Sequence, residues 1–136
     1  MASAVSAQGS LFYHYRFSPY DTDAIIEFLE ILLSRNASKI MIVWDGASVH
    51  KSKKLRAYLA DNDEAKRLHL VIQPSYSPQL NVDEQVWHWL KNVALKNVCL
   101  NNFKELQSRV ITEIQKLAEN HKLVQKFFHH PAVAFY

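Results

Sequence analysis

Two carboxylates stand where an α/β chain tends to gather its chemistry. Asp45 follows Lys39 to Trp44, a short apolar run without alternation, which is how a strand buried on both faces reads. Glu84 falls in the first turn of an expected helix, after a second run of the same kind, Leu68 to Ile72. In open α/β sheets, ligands collect beyond the carboxyl ends of the strands. Parallel neighbours would bring both acids to one edge. Hard carboxylate oxygens are what Mg²⁺ or Mn²⁺ takes up. A pair of such ions can stabilise the attacking and leaving oxygens of phosphodiester cleavage or strand transfer. Each acid taken alone has a plainer reading. Asp45-Gly46 is a turn former, and Glu84, like Asp83, suits the positive end of a helix dipole.

Between the acids lies a basic cluster, His50, Lys51, Lys53, Lys54 and Arg56. Most basic runs are solvated helix faces. This one crowds the opening turns of a helix expected from about Val49 to Asn62, where the dipole disfavours positive charge. A phosphate backbone accounts for it better than helix stability does. His88 and Lys91 share the Glu84 face at helical spacing and are within reach of the same substrate, with simple exposure as the alternative. Trp89, beside Val86 and Leu90, is expected in the core, and Trp87 is left open between core and base stacking. Other chemistries find no support. The histidines and the single Cys99 show no metal-ligand spacing. Gly9 and Gly46 are the whole glycine complement, so there is no Gly-rich phosphate loop. Ser48 and His50 lie close in sequence, but nothing marks a nucleophile elbow.

The elements that must position these residues follow from pattern. Ala2 to Val5 and Leu11 to Phe17 read as a hairpin around Gln8-Gly9-Ser10, with Leu11, Tyr13, Tyr15 and Phe17 on one face. A helix capped by Asp21 or Thr22 carries Ile25, Phe28, Leu29 and Leu32, and Asn36 to Ser38 closes it. The two prolines of Gln73 to Pro78 forbid regular structure. Val82 to about Lys96 is expected as a helix with Val86, Trp89, Leu90 and Val93 inward. Asn101 or Asn102 then caps a long helix bearing Phe103, Leu106, Val110, Ile114 and Leu117, with a further turn or two at Leu123 to Phe128. The order implies an α/β fold with a mixed sheet and one domain over residues 1–136.

Bulk properties agree with an ordinary globular chain, at 49% hydrophobic and 21% charged residues. A net charge of +3 permits a nucleic-acid partner without arguing for one. One cysteine excludes an internal disulfide framework and points to a reducing compartment. No signal peptide or membrane span is expected, so the localisation expected is cytoplasmic, and nucleoid-associated if DNA is the partner.

The segment Ile42-Val43-Trp44-Asp45-Gly46-Ala47-Ser48-Val49-His50-Lys51-Ser52 resembles the second-aspartate motif of DDE transposases of the Tc/mariner superfamily, in its bacterial insertion-sequence branch. Pro74-Ser75-Tyr76-Ser77-Pro78-Gln79-Leu80-Asn81-Val82-Asp83-Glu84-Gln85-Val86-Trp87 resembles that family's third motif, with Val82 in place of the usual proline. By position, Asp45 is then the second acid and Glu84 the third. The resemblance implies an RNase H-like (retroviral-integrase-like) fold. It also implies Mg²⁺- or Mn²⁺-dependent cleavage and joining of double-stranded DNA at transposon ends and target.

The family's first Asp lies on a strand ahead of the hairpin, and Asp21 and Asp23 sit at a helix cap, which is the wrong place for it. The expectation is therefore a catalytic core lacking its first central strand and its helix-turn-helix region. Such a chain is the downstream frame of a split or frameshifted element, or a decayed copy. Its partners are DNA and either a second copy or an upstream-frame transposase polypeptide, with no membrane. The alternative is a non-catalytic DNA-binding or assembly subunit that kept the fold.

Overall fold

The computed structural model describes residues 1–131. In chain order these form β1 (Ala2–Val5), β2 (Leu11–His14), α1 (Thr22–Arg35), β3 (Ile40–Trp44), α2 (Lys53–Asp61), β4 (Leu68–Ile72), α3 (Asp83–Trp89), α4 (Phe103–Glu119) and α5 (His121–Phe128). Short 3₁₀ turns cover Ser48–Lys51, Glu64–Arg67 and Pro78–Leu80, and a π turn covers Leu90–Ala94. The four strands make two small sheets, β1 with β2 and β3 with β4, where sequence pattern predicts one mixed sheet. The chain divides into two compact units. The first holds Met1–Ala2 and Tyr13–Asn81, and the second holds Ser3–Phe12 and the residues from Val82 onward.

The first unit is built on α1. Asp21 caps it by accepting from the Ala24 amide at 3.0 Å, and that bond holds the Asp21 carboxyl below its ordinary range. The apolar set Ile25, Phe28, Leu29 and Leu32 is buried, as its 3.6-residue period requires. At the other end, Asn36 Nδ2 donates to the Leu32 carbonyl at 2.7 Å. The Arg67 guanidinium donates to the carbonyls of Leu33, Asn36 and Ser38 at 3.1, 2.5 and 3.1 Å. One side chain thus meets a carbonyl of the last turn of α1 and two just beyond it, and fixes the start of β4 beside the lead-in to β3.

β3 and β4 run parallel, Ile40 beside Leu68 through Trp44 beside Ile72. Gln73 extends the ladder, its amide donating to the Trp44 carbonyl at 2.8 Å, and its side chain donates to the Leu80 carbonyl at 2.8 Å. Burial on both faces, the expectation for these strands, does not hold. No residue of either strand is fully buried, and Met41, Val43 and Ile72 are exposed. A two-stranded sheet has too few neighbours to cover its residues.

In the second unit the turn between β1 and β2 is closed by Gly9 N–H to the Ser6 carbonyl and Ser6 N–H to the Ser10 carbonyl, both 2.9 Å. So short a link allows only an antiparallel pair. Gly9 has φ +89°, and a Cβ there would lie 2.3 Å from the His121 carbonyl oxygen, so no other residue fits. β2 ends at His14, short of the expected Phe17, which is exposed.

The expected helix over Val82 to Lys96 is α3 plus the π turn, in which the Leu95 amide reaches the Leu90 carbonyl. The wider turn shifts the helical phase. Val86 and Leu90 stay buried, Trp89 is half-buried, and Val93 turns out to solvent. Asn102 caps α4 and Asn120 caps a separate α5. Only the later part of α4 is core. Ile114 and Leu117 are buried with Val124 and Phe127 of α5, while Phe103 and Leu106 are exposed. Full burial of such side chains contributes about 1.5–3 kcal/mol each.

Asp83 ties this unit together. Its Oδ2 accepts from Ser3 Oγ of β1 at 2.9 Å and from Trp87 Nε1 at 3.0 Å. Burial raises its pKa, the two hydrogen bonds pull the other way, and the neighbouring Glu84 charge adds to the rise. A carboxyl that holds its proton more tightly folded than unfolded contributes stability that is complete below its unfolded value, near 3.8, and lost as pH rises through the folded value. Asp83→Asn removes that titration. Urea unfolding of both proteins should show the difference moving in favour of the wild type between neutral pH and pH below 3.8. A difference independent of pH would contradict the enclosed carboxyl.

Candidate functional site

In the first unit the site is built at the end of β3. Pairing with β4 carries Trp44 to the last rung of the ladder, and Asp45 is the first residue beyond it. Asp45 is exposed. Its Oδ1 accepts from the Ala47 amide at 3.0 Å, which turns the chain away from the strand. His50 follows on the Ser48–Lys51 3₁₀ turn, and its Nδ1 lies 3.0 Å from both the Oδ1 and the carbonyl oxygen of Asp45. The imidazole stacks on the Trp44 indole, with centroids 4.2 Å apart and 6° between planes. His50 is therefore held against Asp45 from one side by a ring and at one nitrogen by oxygen. Its other nitrogen and the second Asp45 oxygen have no hydrogen-bond partner among the described residues.

Sequence reading grouped His50 with the basic cluster. The structure groups it with Trp44 and Asp45. The Trp-Asp pair followed by a His was the available signal. It was hidden because the 3₁₀ turn, rather than a continuous helix from Val49, folds His50 back.

The rest of the cluster is placed differently from expectation. α2 starts at Lys53, with Ser52 as its cap accepting from the Leu55 amide at 3.2 Å. Lys53 and Lys54 do occupy the first turn, and no acid balances them there. Lys54 is, however, in an ion pair with Asp23. The Arg56 guanidinium donates twice to the Lys51 carbonyl, at 2.7 and 3.2 Å. Lys51 and Lys53 are exposed, and neither side-chain ammonium has a partner among the described residues. The cluster thus separates into two residues with structural partners and two without.

In the second unit, α3 presents two neighbouring acids with opposite surroundings. Asp83 is enclosed by its bonds to Ser3 and Trp87. Glu84 is exposed, with no hydrogen bond or ion pair among the described residues. Its position in the first turn needs no partner, since the helix dipole favours it. His88, one turn on, is also exposed, with Asn92 Nδ2 3.1 Å from its Nδ1. Lys91 is exposed on the π turn. Trp87, left open above, is committed to Asp83 through its indole N–H. Within each unit, among the described residues, no three His, Cys, Asp or Glu side chains gather as a metal cluster.

As donors, Asp45 and Glu84 fit a hard divalent cation. Both are exposed carboxylates with uncommitted oxygens, one beyond a strand and one at a helix start. Asp83 does not fit, because its carboxyl is enclosed and already bonded to donors.

Comparisons with known proteins agree with the motifs. A family model described as DDE superfamily endonuclease matches residues 1–107. Over 76 residues the chain is 28% identical to the "Insertion element IS630 uncharacterized 39 kDa protein" of Shigella sonnei, which covers 56% of this chain and 21% of that protein. The chain thus spans about a fifth of the length of the curated relative that it matches. No solved structure matches. The family match takes in most of the 136 residues and both acidic motifs, so the chain belongs to the DDE superfamily endonucleases.

Proposed function

We propose that this chain is part of the catalytic core of an insertion-sequence transposase, acting on double-stranded DNA with Mg²⁺ or Mn²⁺. Asp45 and Glu84 are its metal-holding acids. The observation that carries the reading is the contrast between Asp83 and Glu84. Of the two acids in the third motif, one is spent on the fold and the other is exposed and uncommitted. The family match and the likeness to an insertion-element protein support a DNA substrate. Family members in general use divalent metal, which in such sites stabilises the attacking and leaving oxygens at phosphorus. In this chain, Asp45 and Glu84 would supply the carboxylate oxygens for such binding. His50 and Trp44 orient Asp45, a role of the kind that partners behind metal ligands commonly fill.

Among the described residues, no strand carries an acidic residue. We read the third ligand of an RNase H-like site as supplied from outside these residues, on a strand between the hairpin and β3. The single catalytic domain over 1–136 and a nucleoid location belong to the same proposal. No helix among the described residues is long and apolar enough to cross a membrane. The alternative, a non-catalytic DNA-binding subunit, predicts DNA affinity that ignores Asp45 and Glu84.

Asp45→Ala and Glu84→Ala should each weaken Mn²⁺ binding by roughly tenfold or more in calorimetric titration, since even residues behind the ligands change affinity on that scale. Neither should greatly alter thermal stability, because both side chains are exposed. The chain alone should not nick inverted-repeat DNA in Mn²⁺. The same chain joined to a polypeptide bearing the family's first acidic strand should do so. Unchanged Mn²⁺ affinity in both variants, or nicking by the chain alone that survives Glu84→Ala, would contradict the assignment.

Lys51 and Lys53 carry the second expectation, together with His88 and Lys91 as further DNA contacts. Replacing Lys51 and Lys53 by Gln should lower the salt slope of duplex binding by about one to two units. Replacing Lys54 and Arg56 should change it less, because Asp23 and the Lys51 carbonyl already engage them. Equal effects from the two pairs would return the whole cluster to a solvated face.

A further inference from the structure

We infer that Tyr76 is a stacking platform for an unpaired base next to the phosphate that Asp45 serves, so that the substrate is a DNA end with an unpaired nucleotide rather than a fully paired duplex. The inference rests on the proposed role of Asp45 and adds the form of DNA that reaches it. Two observations set Tyr76 apart. It is the most exposed large hydrophobic residue among the described residues, and its ring stacks on no other there. Its φ is +58°, in the left-handed region. That backbone crowds Cβ against the following carbonyl, which is unfavourable for an aromatic residue. Such strain persists only where the surroundings impose it, and it gathers at ligand sites.

The imposing groups lie at both ends of the loop. The buried Gln73 donates its amide to the Trp44 carbonyl and its side chain to the Leu80 carbonyl, both at 2.8 Å, which ties the two ends together. Pro74 and Pro78 fix two backbone angles on either side of Tyr76. The Leu80 and Asn81 amides close the 3₁₀ turn on the Ser77 and Pro78 carbonyls, at 3.0 and 2.9 Å. A ring turned into solvent adds nothing to stability, since burial of apolar area is what drives folding. Held in this way, it is a surface that a ligand can cover without first ordering a loop.

The parallel ladder indicates which ligand. Trp44 stands beside Ile72, so the Asp45 loop and the Tyr76 loop leave the ladder at the same end, and both belong to the first unit. A Cβ on Gly46 would lie 3.6 Å from Lys51 Nζ and 3.9 Å from Ile72 Cγ2, which puts that ammonium at this end too. One end of the ladder thus carries a carboxylate with an uncommitted oxygen, a lysine without a partner and an exposed ring. They match the parts of a nucleotide at a reacting phosphate, a neighbouring phosphate and a base. An aromatic ring accepts the face of any base, provided that the base is out of its own stack. Leaving the stack is least unfavourable for a nucleotide that is already unpaired. A protein partner would call for a contiguous apolar patch, and from Pro74 to Gln79 the ring is accompanied only by serines, prolines and a glutamine.

Fluorescence titration of the full chain without divalent cation tests this apart from metal binding. The probes are a blunt DNA duplex and the same duplex with one unpaired 2-aminopurine at a 3′ end. The chain should bind the second more tightly and quench its fluorescence. Tyr76→Asn keeps a residue that tolerates the left-handed backbone, so the thermal midpoint should hold nearly constant. The quenching should nevertheless be lost, and binding of the unpaired probe should weaken roughly five- to a hundredfold. Blunt-duplex binding and the salt slope should stay as they are, because the ring carries no charge. Tyr76→Phe should behave as the wild type. Equal affinity of the wild type for the two probes overturns the inference and leaves the ring to a protein partner. Quenching that survives Tyr76→Asn overturns it as well, as does a loss shared equally by both probes. None of these three results touches the assignment of Asp45 and Glu84, which the Mn²⁺ titration decides. Failure to bind either probe overturns this inference together with the DNA reading.

Discussion

The parallel pairing of β3 with β4 is the constraint on which the first unit depends. Parallel neighbours cannot be joined by a tight turn. Here the connection from Trp44 to Leu68 contains the Asp45 loop, the 3₁₀ turn carrying His50, and α2. A two-stranded parallel ladder is weak alone. Arg67 compensates by fastening the start of β4 to the Leu33 carbonyl of α1 and to the chain that leads into β3. With that end pinned and Gln73 closing the other, Trp44 becomes a fixed platform. His50 stacks on it, and Asp45 is oriented by both the Ala47 amide and the imidazole. An exposed carboxylate on a loop would otherwise sample many orientations. This one is held by a chain of contacts that begins at a helix terminus.

The second unit uses a different device for the same end. The first turn of α3 offers two adjacent carboxylates, and the fold consumes one. Asp83 accepts from Ser3 and Trp87, which joins the hairpin to the helix and holds the Trp87 indole on its own helix. Its burial raises its pKa, so it is an anchor with an electrostatic cost at neutral pH. Glu84 is left exposed on a turn whose direction Asp83 has set. Adjacent residues on a helix point about 100° apart, which is why one can be enclosed while the next faces solvent.

The elements were legible in the sequence where local signals decide them. Asp21 and Asn102, each one of two candidates by pattern, act as caps because a short polar side chain ahead of an apolar period satisfies free amides. The period itself located α1, and the acidic motifs located Asp45 and Glu84. The π turn was not legible, since no residue type specifies it, and it turned Val93 out of the expected apolar face. The exposure of Met41 and Val43 was misread because an unalternating apolar strand implies neighbours on both faces, and pattern cannot say whether this chain supplies them. The partners of Lys54 and Arg56 were invisible because they come from Asp23 and a backbone carbonyl, which a charge count does not pair. The Trp44–His50 stack needed the 3₁₀ turn, which spacing alone read as the opening of a longer helix.

The central proposal is that Asp45 and Glu84 are both metal-holding acids. Paramagnetic broadening of backbone amide resonances by Mn²⁺ tests it most directly, because it reports the place of the ion residue by residue. The account predicts that Gly46 and Ala47 beside Asp45, and Gln85 and Val86 beside Glu84, all broaden. Broadening confined to one of the two segments would contradict it.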